Sequence, residues 1–486
     1  MPWHKLGYAA FLGTLAALLI FGEPDRTARH SRGCFCGGLC GGGSNGVVVD
    51  ATGVLRRQTF ADPTGELHRR RAEAAKAKLD PKIAKISKMR MVSLTRLEAA
   101  VKERIDNNNA PTDEMLHLAG LTRIRYVFFY PETKDIVIAG PAEPWAEALA
   151  GQTLGIGSGR ATLELQDLCV ALRAYPPSGK KTPVILVSID PTAEGLAAMQ
   201  QFLRQYGSSI TPGDTESIVN GLRTSLGMQN IRVGGISPKT HFAQVLIEAD
   251  YRMKLIGIGL EKPPVKLASY VDNANPAMVS RSALQRWYFV PDYKCVKVTA
   301  DDMGMELVGD TVKLVGENEV VGKDGSRQAS GTTNKASSKF VDGFTKKYGD
   351  IAARIPVYAQ MRNCIDMAVV AAFIQEHNYY EKCGWNLATF GDENKIPTET
   401  LNTPQQVETT VAAVVKGNRL MTPVGGGVTI HPTEALQSSN VTQDEEGKLM
   451  EQREAINLAG LPEGQWWWDA AEPDKPAKGK KVKAEK

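Results

Sequence analysis

Ionisable side chains are concentrated in one predicted helix near the middle of the chain. His241, Glu248 and Asp250 all lie within the stretch Ile231–Leu260. His241 and Glu248 are seven residues apart, so on a helix they share one face, two turns from each other. Imidazoles and carboxylates are the groups that serve acid–base catalysis and metal binding. These three residues are therefore the candidate site of a hydrolase built from dispersed residues, although a third group from elsewhere would have to complete it.

The same helix also has a purely structural interpretation. Glu248 with Arg252, and Asp250 with Lys254, have the four-residue spacing and the polarity of stabilising ion pairs. Apolar residues form two stripes on opposite sides, which is typical of a helix buried between two layers. One stripe contains Phe242, Val245, Leu246, Ala249, Met253 and Ile256, and the other Ile247, Tyr251 and Leu255. Structural pairing is the preferred interpretation, so no catalytic, cofactor-binding or metal-binding residue is assigned.

Three further local patterns bear on function: a start signal for this helix and two glycine runs. Ser237 and Pro238 predict a helix start. GIGSGR at Gly155–Arg160 is compatible with an anion held on backbone amides, but it lacks a known phosphate-binding spacing and is interpreted as a glycine turn. Gly425–Gly427 indicates a bulge or a close backbone approach.

Several other residue groups lack a complete site signature. Cys34, Cys36 and Cys40 could form disulfides or bind a soft metal, but they have no fourth ligand at a conventional spacing. His377 and Glu381 share a helix face without completing a metalloenzyme motif. The run Trp466, Trp467 and Trp468 is compatible with stacking on sugar rings, with insertion at a membrane interface, or with closing the chain over the core.

The N-terminus resembles an export signal. Lys5 precedes an apolar run from Leu6 to Phe21, which is short for a membrane span of about 20 residues. Residues 1–22 are predicted to be a signal peptide or an uncleaved membrane anchor, and residues 23–45 a Cys/Gly-rich tether. The protein is therefore expected to be exported to the periplasm or cell envelope.

Composition limits the partners. The net charge is +4, and Glu472–Lys486 contains six lysines against three acidic residues, so the rest of the chain is nearly neutral. Nucleic-acid binding needs a dense basic surface and is not expected. Other envelope proteins or cell-wall material are the expected partners, and no cofactor is expected.

Strand and helix patterns alternate along the chain and predict a mixed α/β (α+β) fold. Hairpins are expected at Gly46–Arg57 and Arg125–Gly140, a β-meander at Trp287–Glu319, and paired strands at Val407–Val415 and Leu420–Ile430. Repeated strand–helix units are indicated by VSIDPT and GGISPKT. The predicted domains are an α/β domain (46–320), a flexible linker (321–337), a helical plus β-hairpin domain (338–433), and a helix with a disordered basic tail (434–486).

The sequence IEADYRMKLIGIGLE at Ile247–Glu261, with GGISP upstream, resembles the signature of an exported planctomycete-type bacterial family that carries a domain of unknown function. The resemblance implies export and a non-standard fold from Gly46 onward, and it implies no activity or catalytic residue. The predicted function is a structural or interaction role in the cell envelope. The alternatives are the hydrolase at His241, Glu248 and Asp250, and a small-molecule binding module.

Overall fold

The computed structural model describes residues 44–205, 212–274, 283–321, 327–329, 334–411, 424–456, 458 and 460–470. The chain divides into the units Met1–Gly37 and Gly38–Lys486, and the described residues belong to the second. The predicted signal or anchor lies outside the described residues, and so does the basic tail. The proposed domain boundaries stay predictions.

The described residues form a mixed α+β fold, as the sequence predicts. The helices are α1 (Glu66–Lys78), α2 (Leu94–Asp106), α3 (Asp113–Leu116), α4 (Leu165–Ala174), α5 (Ala193–Gln205), α6 (Thr215–Leu226), α7 (His241–Gly257), α8 (Tyr270–Asn273), α9 (Lys335–Lys346), α10 (Tyr348–Ala352), α11 (Pro356–Glu376), α12 (Tyr379–Cys383), α13 (Pro432–Ala435) and α14 (Lys448–Glu454). The strands are β1 (Ser44–Val49), β2 (Val54–Phe60), β3 (Ser87–Ser93), β4 (Tyr126–Tyr130), β5 (Asp135–Ala142), β6 (Trp145–Glu147), β7 (Thr153–Gly155), β8 (Ile185–Pro191), β9 (Met228–Gly234), β10 (Ala283–Pro291), β11 (Val296–Val298), β12 (Gly304–Leu307), β13 (Val312–Val321), β14 (Arg327–Ala329), β15 (Gln406–Glu408), β16 (Val424–Ile430), β17 (Thr442–Gln443) and β18 (Trp467–Asp469).

All of these strands except β6 and β7, which pair with each other, form two large sheets. The nine-stranded sheet has the order β1-β2-β15-β9-β8-β16-β10-β13-β14, and the seven-stranded sheet has the order β17-β11-β12-β4-β5-β3-β18. The largest buried apolar cluster includes side chains from both sheets and from α4, α7 and α11, and two smaller clusters are separate from it. The two sheets therefore share one core.

Two predicted hairpins are confirmed. β1 pairs with β2, and the Asp50 carboxylate closes the turn by accepting from the backbone N–H groups of Thr52 and Val54. β4 pairs with β5, with Val127 opposite Ile138. Both hairpins depend on local turn chemistry, which a sequence displays directly.

Other strand pairings differ from the prediction. β15 and β16 do not pair with each other: β15 lies between β2 and β9, and β16 lies between β8 and β10. The predicted turn between them falls outside the described residues. The predicted meander is also divided, because β10 pairs with β13 while β11 and β12 join the other sheet through β4. In each case a strand distant in sequence replaces the neighbour.

The predicted central helix is α7, and it is almost completely buried. It packs against β8, β10 and β16 of the nine-stranded sheet and against α4 and α11. Its N-cap is Thr240, whose hydroxyl accepts from the Ala243 N–H, and not Ser237. Ser237 instead starts a turn, in which its carbonyl accepts from the Thr240 hydroxyl at 2.8 Å.

Helix α11 is the second buried helix of the core. Among the described residues, it has the length and apolar composition that could cross a membrane, but its apolar window is entirely enclosed by the rest of the protein. The aromatic rings of Phe289, Phe344, Tyr348 and Tyr358 meet at its start. Its apolar character is therefore explained by burial in this core.

Candidate functional site

The three candidate residues of α7 do not converge. His241 and Asp250 are nine residues apart and thus lie on opposite faces of the helix. His241 contacts α4, whereas Asp250 faces the nine-stranded sheet, and Glu248 is paired with Arg252. The dispersed hydrolase site predicted from these three residues is therefore not assembled.

The side chains that contact His241 come from the start of α4, far from α7 in sequence. The Nδ1 atom of His241 lies 2.9 and 3.0 Å from the two carboxylate oxygens of Asp167 and 3.8 Å from an oxygen of Glu164. Among the described residues, these are the His, Cys, Asp and Glu side chains that form a group of three whose ligand atoms all lie within 4.8 Å of one another. We call Glu164, Asp167 and His241 the α4–α7 cluster.

The environment of the α4–α7 cluster favours a protonated imidazole. Burial by itself lowers the pKa of His241, but the carboxylates of Asp167 and Glu164 outweigh it and raise that pKa to about 10. Burial raises the pKa of Asp167, and the charge of His241 opposes the shift. His241 then carries its proton at neutral pH. A general base must be unprotonated, so His241 would have to release this proton before it could act as one.

Glu248 belongs to a second charged cluster. The Arg252 guanidinium donates through Nε and Nη2 to one oxygen of Glu261, at 3.0 and 2.7 Å, and through Nη1 to Glu248 at 3.4 Å. Arg57 of β2 lies 3.6 Å from the other oxygen of Glu261. Burial raises the pKa of Glu248 to about 7, against the pull of Arg252. The cluster ties α7 to its own C-terminal loop and to β2.

Asp250 belongs to a third cluster, at the centre of the nine-stranded sheet. The Lys254 ammonium donates to Asp250 at 2.7 Å, to the Ile189 carbonyl at 2.8 Å and to the Gly426 carbonyl at 3.2 Å. Burial raises the pKa of Asp250 to about 6, although Lys254 lowers it. The ion pairs predicted within α7 are confirmed, but each also reaches a neighbouring element.

The triple-glycine run provides the close backbone approach that the sequence suggests. A Cβ on Gly426 would lie 1.8 Å from the Trp287 carbonyl oxygen, and one on Gly427 would lie 1.9 Å from the Val187 carbonyl oxygen. Any side chain at these positions would force β8, β16 and β10 apart. The glycines therefore permit the sheet packing that surrounds Lys254.

The other glycine-rich segment does hold an anion, but the anion is a side chain of the same protein. The backbone N–H groups of Gly157 and Ser158 donate to Glu143 at 2.8 and 2.9 Å, and the Ser158 hydroxyl donates to its other oxygen. Glu143 is buried. The segment GIGSGR is thus an ordered turn around an internal carboxylate.

The cysteines of the fold are buried thiols. Cys169, Cys295, Cys364 and Cys383 are unpaired with one another. Burial raises the pKa of Cys364 well above its usual value, and the nearby carboxylates of Asp167 and Glu164 raise it further. A protonated thiol is a poor nucleophile. Cys34, Cys36 and Cys40 lie outside the described residues. Burial also lowers the pKa of His377, whose ring contacts that of Phe373 at a tilt of 42°.

Sequence reasoning missed Glu164 and Asp167 as partners of His241. The available signal was local and weak: two acidic residues three positions apart, which share one face if the segment is a helix. Nothing in the sequence between Asp167 and His241, which are 74 positions apart, indicates that this face meets the start of α7.

Comparison with known proteins yields one match. No curated protein and no solved structure matches the chain. The resemblance to exported planctomycete-type proteins stays a prediction. The family model described as "Protein of unknown function (DUF1598)" matches residues 187–270, a range that contains His241, Glu248 and Asp250 but neither Glu164 nor Asp167. Residues 187–270 thus contain a DUF1598 domain of unknown function.

Proposed function

We propose that the protein is an exported cell-envelope component with a structural or interaction role. The observation that supports a structural role is the pairing of the charged groups of α7. His241 is bonded to α4, Arg252 to the loop that follows α7, and Lys254 to the backbone of β8 and β16. Each buried charge is already occupied by a neighbouring element of the same fold, so α7 acts as the link between layers.

Support for export comes from the sequence, in which Lys5 precedes the apolar run Leu6–Phe21. A short basic region followed by an apolar segment is what export machinery recognises. Other envelope proteins or cell-wall material are the proposed partners, and a membrane tether through the uncleaved apolar run is the proposed alternative to cleavage. The small-molecule binding alternative stays a prediction.

A reporter fusion tests export. The full chain is fused to a C-terminal phosphatase whose disulfides form only outside the cytoplasm. We expect high reporter activity, and a loss of about tenfold or more in the double variant Leu15→Arg/Leu18→Arg, because charges in an apolar targeting segment oppose its insertion.

The matched control is Leu67→Arg/Leu116→Arg, which adds the same charges at exposed leucines and should leave reporter activity unchanged. An inactive reporter in the wild-type fusion, present at full length, would refute export.

The α4–α7 cluster supports a second candidate function, the binding of a divalent cation. One imidazole and two carboxylates with ligand atoms within 4.8 Å of one another resemble a three-ligand set with open positions. Such a cation would replace the proton on His241 as the counter-charge to Glu164 and Asp167.

Titration calorimetry of the full chain with Mn²⁺ tests this candidate. Mn²⁺ prefers oxygen and imidazole ligands to thiolates, so the N-terminal cysteines do not dominate the signal. We expect one site that His241→Gln abolishes and His377→Gln preserves. Its apparent affinity should rise about tenfold per pH unit below pH 10, because binding displaces the His241 proton. A wild-type site that persists in His241→Gln would exclude the cluster.

A further inference from the structure

An open cleft of about 380 Å³ lies beside the last described strand, far in sequence from α7. Within the part of the chain that the structure describes, β18 is an edge strand of the seven-stranded sheet and pairs with β3. Trp468 is buried in an apolar cluster on one side of the sheet, whereas Trp467 is only partly buried and lines the cleft. The cleft is lined by Asp80, Lys82, Lys85, Gln465, Trp467, Trp468 and Asp469. We call it the Trp467 cleft.

A completely buried arginine organises the Trp467 cleft. The Arg90 guanidinium lies 4.9 Å from the centre of the Trp467 ring and donates to both carboxylate oxygens of Asp469 at 2.8 and 3.1 Å. Its other N–H groups donate to backbone carbonyls, so all five donors are used. These carbonyls belong to Ile83, Lys85 and Ala119. The Arg90 side chain thus holds the Trp467 ring, the Asp469 carboxylate and the backbone of the opposite wall of the cleft in fixed positions.

The opposite wall is also ordered by its own contacts. The Asp80 side chain accepts from the Lys82 N–H at 2.7 Å, and its carbonyl accepts from the Ala84 N–H at 2.9 Å. On the β18 side, the Gln465 amide donates to the Trp467 carbonyl at 3.0 Å. The side chains of Asp80, Gln465 and Asp469 are therefore held in place before any ligand binds, which reduces the entropy lost on binding.

These groups match the chemistry of a sugar ring. A pyranose has an apolar C–H face that stacks on an aromatic ring, and its hydroxyl groups donate to carboxylates and exchange hydrogen bonds with amides. Asp469 is one-third exposed and retains free lone pairs beyond its bonds to Arg90. Lys82 and Lys85 are exposed at the rim, where they can pair with a carboxylate on the sugar.

Two other ligand classes fit less well. Trp467 is packed against the core, so its ring does not project as a membrane-inserting residue does. Lys82 and Lys85 disfavour a cationic ligand.

We infer that the Trp467 cleft binds an acidic polysaccharide, with Trp467 stacking on a pyranose ring, Asp469 and Gln465 bonding its hydroxyl groups, and Lys82 and Lys85 pairing with its carboxylates. This inference deepens the proposed interaction role, because it names the class of cell-wall material that the protein binds. It rests on the proposed function only in that the protein must be exported to meet such a ligand.

Binding of the purified full chain in mild detergent to a heptamer of galacturonic acid tests the inference, with cellohexaose as the neutral probe. Trp467→Ala should weaken binding of both probes by about tenfold or more, equivalent to about 1.4 kcal/mol. Lys82→Ala/Lys85→Ala should weaken only the acidic probe and reduce its salt dependence. Lys180→Ala/Lys181→Ala removes the same charge from another exposed loop and should bind as the wild type.

Several results would overturn the inference. One is that the wild type does not bind the acidic probe. Another is that Trp467→Ala binds the acidic probe as tightly as the wild type does. A third is that Lys180→Ala/Lys181→Ala loses as much affinity as Lys82→Ala/Lys85→Ala. A further one is a Trp467→Ala variant that loses only its binding to phosphatidylglycerol vesicles, since this would identify a membrane contact. The lysine pairs lie outside the core, so they keep the test valid if Trp467→Ala misfolds. Failure here leaves the export result unaffected, and failure of export leaves binding by the purified chain unaffected.

Discussion

Replacing Lys254 by Met is expected to lower the free energy of unfolding at pH 7 by about 3–5 kcal/mol, the usual cost of removing one member of a buried ion pair. Asp250 is completely buried and one of its oxygens already lacks a hydrogen-bond partner. Without Lys254, Asp250 must take up a proton to remain buried. Urea denaturation at pH 7 measures the change.

The same mechanism makes the loss depend on pH. In Lys254→Met the folded-state pKa of Asp250 rises above the value of about 6 that it has beside Lys254, so the loss relative to the wild type is largest at high pH and declines as the pH falls to about 6. The double variant Asp250→Leu/Lys254→Met should regain most of the stability, because an apolar pair leaves no buried charge. A double variant no more stable than Lys254→Met would show that the ion pair is not the cause.

The α4–α7 cluster should make the protein less stable at alkaline pH. The folded pKa of His241 is about 10, above an unfolded value of about 6.5. A raised histidine pKa contributes stability that is complete below pH 6.5 and is lost as the pH rises to 10. The upper limit of this contribution is about 5 kcal/mol. Urea denaturation at intervals between pH 6 and pH 10 measures it.

The comparison that isolates His241 uses two variants at each pH. His241→Gln should be less stable than the wild type at pH 6 and should approach it by pH 10, because the wild type has then lost the same charge. His377→Gln should keep the wild-type slope above pH 6.5, because burial lowers the pKa of His377 against the charges of Asp302 and Glu376, so its proton is already lost there. Parallel curves for the wild type and His241→Gln would contradict the proposed protonation.

Local features of the chain were predictable because they depend on residues close in sequence. The period of apolar residues identifies α7 as a helix buried on two sides, and its four-residue spacings identify the pairs Glu248–Arg252 and Asp250–Lys254. Asp50 likewise marks the turn of the first hairpin. The start of α7 was placed three residues early, because Ser237 and Thr240 are both capping residues and the sequence does not distinguish them.

The candidate site could be predicted only in part. His241 was identified by its type and position, but its partner Asp167 lies 74 residues away on α4. Residues Glu248 and Asp250 were grouped with it because they are near in sequence, although the helix directs Asp250 to the opposite face. Nearness along a helix is therefore a poor guide to which polar groups meet.

The sequence by itself determined where the centre of this protein is: a helix with two apolar stripes and paired charges must lie between layers, since only burial on both sides satisfies it. The tertiary structure alone decided what those charges touch and which strands surround them. β16 inserts between β8 and β10, and its glycines bring the Gly426 carbonyl within reach of Lys254. Such contacts depend on strand order and helix packing, which join residues far apart in the chain and leave no periodic trace in it.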